Sequence, residues 1–231
     1  MTRNRLSGAE RRAQIVAAAR RVFSHYGYDG AKTLQIAREA NISEALVYRH
    51  FSSKLALYRA VLRQVFVEQD QNWQEVGIRE FGAAGIIHAL TAFFHAAVLG
   101  ANRLEMLDRH RMTLGSLAGN GSFAALIYRR SLRRNQHTVQ AANSEARATG
   151  EITGEPLDVN TTSMFVEHIG TMIGAISALP PASRPYGISD AELARQATWF
   201  CCRGLGMTDE VIARHLEGEG DAPRAAVSAA S

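Results

Sequence analysis

The sequence predicts an all-α protein, with an N-terminal helix-turn-helix unit followed by a larger helical domain. Three observations carry this reading. Apolar residues recur every three or four positions through most of the chain, capping residues stand ahead of these runs, and no segment alternates apolar with polar residues as a strand would. The 231 residues, 46% of them hydrophobic, suffice for one large domain or two modest ones with buried cores, and exclude a disordered chain.

The first helix is expected over about Ala9 to His25. Ser7-Gly8-Ala9-Glu10 has the capping-box pattern, and Ile15, Ala19, Val22, Phe23 and Tyr26 follow at helical spacing. Gly27-Tyr28-Asp29-Gly30 is turn chemistry, after which Thr33 can cap a short helix with Ile36, Ala37 and Ala40 on one side. Asn41 tolerates the left-handed conformation used at helix ends, and Ser43 can cap a third helix of two turns, Glu44 to His50. Ser52 or Ser53 can cap a fourth carrying Leu55, Tyr58, Val61, Leu62 and Val65.

Further helices are expected over Ala83 to Leu99, Arg103 to Leu117 and Ser122 to Ala148, separated by Gly100-Ala101-Asn102 and Gly119-Asn120-Gly121. Asp158 can cap the next, to Leu179 before Pro180-Pro181. Ser189-Asp190-Ala191-Glu192 opens one to about Gly204, and Thr208-Asp209-Glu210 a last one to Leu216. Residues 1–65 thus form the first domain and 66–217 the second, with 218–231, rich in Gly, Ala and Ser, a disordered tail.

Charge separates the two parts. The net charge is +4, yet residues 1–60 hold 11 Lys and Arg against 4 Asp and Glu, so the basic excess belongs to the N-terminal quarter. A basic module of this kind suits a polyanion, because phosphate contacts release counterions. No run is expected to approach the roughly 18 uncharged apolar residues of a membrane span, and MTRNRLSGAERR leads into no signal-peptide core. The two cysteines, Cys201 and Cys202, are adjacent and fit neither a disulfide framework nor a CxxC zinc site. A cytoplasmic protein without cofactor or metal is expected.

Two short helices joined by a tight turn form a unit whose second helix can enter a major groove. Periodicity alone leaves a partnerless helical hairpin open. The third helix decides: in ISEALVYRHFSSK, Val47 and Phe51 lie four apart and face a core, leaving Tyr48, Arg49 and His50 for another surface.

Phe23 to Leu62 resembles the DNA-binding domain of the TetR family of transcriptional regulators. The resemblance rests on Phe23, Gly27-Tyr28, Thr33, Ile36-Ala37, Ala40, Ile42-Ser43, Tyr48, Phe51, Lys54 and Leu57, in the family's order and spacing. The sequence departs from the family in having Asn41 and Ala45 where glycine is common, and Leu55 where an acidic residue usually follows the lysine. The resemblance implies that Thr33, Ser43, Glu44, Ala45, Tyr48, Arg49, His50 and Lys54 form the DNA surface. Their chemistry is compatible. Thr33, Ser43, Tyr48, His50 and Lys54 suit phosphate, Arg49 suits guanine O6 and N7, and Ala45 a thymine methyl. Glu44 can accept from cytosine N4, repel phosphate, or simply favour the positive end of its helix. Arg3, Arg5, Arg11 and Arg12 would add an arm and first-helix contacts.

The resemblance further implies a homodimer on a palindromic operator, released by a small-molecule effector, and so a repressor rather than an enzyme. Phe94, Met106, His110, Met112, Phe123, Ile127, Phe165 and His168 are candidate effector contacts, being apolar or polar groups of the kind that line pockets. Ile169, Met172, Ile173, Ile176, Trp199 and Cys202 are candidates for the dimer interface, with Gly170 and Gly174 permitting close helix approach. An all-α small-molecule binder or enzyme that does not bind DNA is the alternative. The sequence contains no GxSxG, Walker, GxGxxG or HExxH motif, and His88 and His95, seven apart, lack a third metal ligand.

Overall fold

A computed structural model describes residues 6–100 and 103–216, with the side chains of residues 72, 75, 76 and 103–105 left out. Arg3 and Arg5, the turn at residues 101–102 and the tail from 217 lie outside the described residues. Ten α-helices follow in order: α1 Gly8–Gly30, α2 Thr33–Glu39, α3 Glu44–His50, α4 Lys54–Val76, α5 Gly82–Leu99, α6 Arg103–Leu117, α7 Ser122–Ala148, α8 Val159–Ser177, α9 Asp190–Gly204 and α10 Asp209–Leu216. Among the described residues there is no strand, only an isolated antiparallel bridge between Ile152 and Met207.

Local chemistry sets most of these limits. Ser7 Oγ accepts from the Glu10 N–H while a Glu10 carboxylate oxygen accepts from the Ser7 N–H at 2.7 Å, the reciprocal box the sequence predicts. Helix α1 runs to Gly30, past the expected end, with its backbone broken at Gly27, where φ is 67°. Thr33 is the first residue inside α2 and not its cap. The Lys32 N–H, one residue earlier, is satisfied by Gln35 Oε1 at 2.7 Å, which leaves the Thr33 hydroxyl for another partner.

The turn after α2 is compact because Asn41 takes φ 52° and the Ile42 N–H returns to the Ala37 carbonyl at 2.9 Å. Ser43 caps α3 through the Leu46 N–H, and Ser53 caps α4 through the Ala56 N–H. Asp158 Oδ1 accepts from the Thr161 N–H at 2.8 Å at the start of α8, and Ser189 Oγ accepts from the Glu192 N–H at the start of α9.

The helices fall into two compact units. The first lies within Met1–Glu75, Ala101–Ser131 and Thr171–Ser183, the second within Val76–Gly100, Leu132–Gly170 and Arg184–Ser231. In the first, α1 packs on α2 and α6, and Ile15, Phe23, Ile36, Val47, Leu57, Val61 and Val65 are almost wholly buried together. Met112 of α6 and Phe123 and Ile127 of α7 belong to the same core. Burying such side chains contributes about 1.5–3 kcal/mol each, which stabilises seven-residue helices too short to persist alone. Arg20 of α1, itself buried, clasps both carboxylate oxygens of Glu68 in α4 at 2.6 and 2.7 Å.

In the second unit α5 packs mainly on α9 and also on α10. Gly82–Leu99 corrects one expectation, being 18 residues without Asp, Glu, Lys or Arg and long and apolar enough to cross a membrane. Half of it is buried against its own protein, the pattern of a core helix. Gly170 of α8 faces the Phe93 ring of α5 so closely that an added Cβ would overlap the ring edge. Its lack of a side chain therefore serves packing within the chain.

Phe51, at the end of α3, is 3% exposed. Phe51→Ala is expected to lower the unfolding free energy by about 3–5 kcal/mol, read as an earlier midpoint in urea; an unchanged midpoint would mean that this ring does not seat α3.

Candidate nucleic-acid interface

Helix α3 carries the candidate surface. With 3.6 residues per turn, Ala45, Tyr48 and Arg49 share one side and Val47 and Phe51 another, with the half-buried Glu44 at the margin between them. Val47 and Phe51 are buried; Ala45 and Arg49 are exposed, and Tyr48 is 48% exposed. Among the described residues the Arg49 guanidinium has no hydrogen bond or ion pair, so its planar fork is free for an external partner.

The C-terminal end of α3 is held by α1. Arg12 Nη1 donates to the His50 carbonyl at 2.8 Å, and its guanidinium carbon lies 4.0 Å from the centre of the Phe51 ring. Arg12, a candidate first-helix contact, thus fixes the end of α3. Nearby, Gln14 Nε2 donates to the Ala40 carbonyl at 2.9 Å and ties α1 to the end of α2. Arg11 bonds Gln14 Oε1 at 2.7 Å.

The polar candidates have partners of their own. Thr33 Oγ1 donates to Glu44 Oε1 and lies 3.1 Å from the Tyr48 hydroxyl. Lys54 Nζ reaches the carbonyls of Ala31 at 2.8 Å and Asp29 at 3.3 Å, and sits 4.6 Å from the Tyr28 ring centre. Two of its three donors thus serve the turn between α1 and α2. Tyr28 packs in turn with Phe23 and Tyr58, the latter ring centre 4.8 Å away. Ser43 is exposed and its oxygen is taken up as the α3 cap, while His50 is half-buried.

The candidate effector residues separate. His110 of α6 is 4% exposed, Met112, Phe123 and Ile127 are buried in the same unit, and Met106 is half-buried. Phe94 is fully buried in the other unit, whereas Phe165 is 59% exposed and His168 is exposed on α8. Among the described residues His110 Nδ1 has no hydrogen-bond partner although it is buried. Burial, assisted by neighbouring Arg109, pushes its pKa down to about 3 and keeps the ring neutral. Two residues earlier on α6, Asp108 Oδ1 accepts from Ser24 Oγ of α1 at 2.9 Å.

The candidate dimer residues also divide. Ile173 and Cys202 are buried, Ile169, Ile176 and Trp199 are intermediate, and Met172 is exposed. Periodicity did not single out Phe200, 68% exposed on α9. Its adjacency to Trp199 was the available signal. Burial pushes both Cys201 and Cys202 thiols up to about 12, which disfavours thiolate chemistry. Among the described residues no cluster of three His, Cys, Asp or Glu is placed to hold a metal.

Residues 15–61 match the family model described as bacterial regulatory proteins, tetR family. The chain is 49% identical over 61 residues to the HTH-type transcriptional activator FasR of Mycolicibacterium smegmatis, a match covering 26% of this chain and 28% of that one. The match thus spans less than a third of this curated relative. A bacterial regulatory protein in the tetR family from Rhodococcus RHA1 shares the fold with a TM-score of 0.64 at 20% identity, covering 87% of this chain and 99% of its own. AibR in complex with isovaleryl coenzyme A and operator DNA does so at 0.58 and 18%, covering 82% and 97%.

An imidazole that titrates near 6.5 when unfolded and near 3 when folded binds more protons in the unfolded chain between those values. Its contribution to stability is complete above pH 6.5 and is lost as pH falls toward 3, by up to about 1.4 kcal/mol per pH unit. Urea titrations at pH 7 and pH 5 should therefore show a steeper loss for wild type than for His110→Leu; equal losses would place the ring in contact with water.

Proposed function

Because this chain belongs to the TetR family of bacterial regulatory proteins, we propose that it is a cytoplasmic, homodimeric, ligand-responsive transcriptional repressor. Residues 1–65 bind the operator, and residues 66–217 dimerise and, with the face they add to the first unit, sense a small molecule. The observation that carries the reading is the unencumbered Arg49 on a short helix whose opposite side is sealed in the core. A rigid helix with a free guanidinium fork is suited to reading guanine in a major groove. Ser43, His50 and the remaining donor of Lys54 are then available to set its register on phosphates, joined by Thr33 and Tyr48 once their hydrogen bonds to one another and to Glu44 are released.

One copy of such a small module contacts a single half-site, so two copies related by a two-fold axis are needed for a palindrome. Helix α8 exposes Phe165, Met172 and, just past its end, Leu179 at spacings of seven residues, and α9 exposes Phe200. Phe165 and Phe200, both in the second unit, are the proposed dimer contacts in place of the buried Ile173 and Cys202.

His110 supports the effector reading. A neutral ring with a buried, unpartnered nitrogen suits a mainly apolar molecule bearing one hydrogen-bonding group. The same helix holds Asp108 against Ser24 of α1, and α1 holds α3 through Arg12. Movement of α6 on effector binding would therefore reach the reading helix through two hydrogen bonds. That AibR has been captured with both an acyl coenzyme A and operator DNA is consistent with a fold serving two kinds of ligand. On this reading the bound dimer represses by occluding the duplex, and the effector releases it.

The reading is tested by selecting bound duplexes from genomic fragments and titrating them by fluorescence anisotropy. Arg49→Ala should cost about 1–3 kcal/mol at one base position per half-site and relax the preference there. If the variant and wild type bound selected and random duplexes alike, groove reading by α3 would be wrong. In a metabolite screen, a compound that raises the melting temperature of wild type should fail to do so for His110→Leu while the variant still binds operator. A shift retained in full would move the effector site away from α6.

A further inference from the structure

Glu44 is the one acidic residue of α3; it is half-buried in the first turn, four residues from Tyr48 and five from Arg49. Its contacts follow from proton counting. The Thr33 hydroxyl has a single proton and gives it to Glu44, so in the 3.1 Å contact with Tyr48 the phenol must be the donor. The result is a directed chain, from Tyr48 O–H to Thr33 O–H to the Glu44 carboxylate. Two of the three hydroxyls expected to serve phosphate are committed as donors, and the chain ends on an anion. Hydrogen bonds to a carboxylate are roughly twice as strong as neutral ones, so the arrangement is not lightly exchanged.

We propose that Glu44 is a specificity-determining residue, an internal anion that keeps Thr33 and Tyr48 from backbone phosphate until a cytosine N4 amino group in the major groove takes over its carboxylate. The proposal rests on α3 docking in the groove, as argued above. On a duplex without a suitably placed cytosine, phosphate meets two occupied hydroxyls and a negative charge. On the operator the carboxylate turns to the amino group, and the released Thr33 and Tyr48 protons become available to phosphate. Glu44 thereby lowers affinity for random sequence more than for operator. Glu44 and Arg49, five residues apart, point about 140° from each other around the helix axis and so address different base pairs. Each half-site should accordingly contain a cytosine at a base pair other than that of the guanine read by Arg49.

The test uses the full chain and a pool of duplexes with a randomised 24-base-pair centre, selected in parallel by wild type, Glu44→Gln and Glu44→Ala. Dissociation constants are then measured for the wild-type-selected duplex and for a scrambled duplex of equal composition. Both substitutions should tighten binding to the scrambled duplex by about three- to tenfold and shrink the selected-to-scrambled ratio correspondingly, with the cytosine preference lost from the Glu44→Ala pool. Adding Thr33→Val to Glu44→Ala should abolish the gain on scrambled duplex, since the gain acts through that hydroxyl. Because Glu44→Gln keeps the size and shape of the side chain, it reads the charge even if Glu44→Ala unfolds. Unchanged or weaker binding to scrambled duplex in the variants, with the cytosine preference intact, would overturn the proposal and leave Glu44 as a helix-start charge. Saturable binding of no duplex by wild type or variants would instead remove groove docking itself, and the proposal with it.

Discussion

Arg12 of α1 stands over the Phe51 ring at 4.0 Å and donates to the His50 carbonyl at 2.8 Å, and through these two contacts a seven-residue helix acquires a fixed position. A helix of two turns cannot hold its own shape in water, because its nucleation cost is spread over too few hydrogen bonds. Its geometry must come from outside. Val47 and Phe51 supply the buried side, Arg12 satisfies a C-terminal carbonyl that the helix leaves open, and Ser43 closes the other end. Everything exposed on α3 is aimed by this arrangement.

The same economy runs through the surrounding polar groups. Lys54 joins the turn after α1 to the start of α4 through two carbonyls and the Tyr28 ring, and Gln14 joins α1 to the end of α2. Polar side chains of the basic N-terminal segment are therefore partly internal struts. Arg49 differs in having no such duty, which is why it carries the reading of α3 as a recognition helix. Glu44, Thr33 and Tyr48 form an intermediate case, linked to one another where an external anion would also be received.

The core also explains how a distant event can matter to α3. Met112, Phe123 and Ile127 pack with Ile15, Phe23, Val47 and Leu57, so α6 and α7 share one apolar interior with the helix-turn-helix. A close-packed interior passes displacement on rather than absorbing it. His110 lies on α6 two residues from Met112 and two from Asp108, the partner of Ser24. A ligand that engaged the buried imidazole would thus act on a helix already coupled to α1.

Helix limits were legible from sequence wherever a local cap or turn set them, as at Ser7 with Glu10, Asn41, Ser43, Asp158 and Ser189, because those hydrogen bonds join residues within a few positions. Burial of Val47 and Phe51 was legible for a similar reason, since the helical period alone places them on one side. What tertiary structure decided were contacts across long stretches of chain: Arg12 with His50, Lys54 with Asp29 and Ala31, Thr33 with Glu44, and Gly170 with Phe93. It also decided that Phe165 and Phe200 face outward while Cys202 and Ile173 face inward. A period states that side chains share a face of their helix, but whether that face meets solvent, a neighbouring helix or another carbonyl depends on how the helices pack.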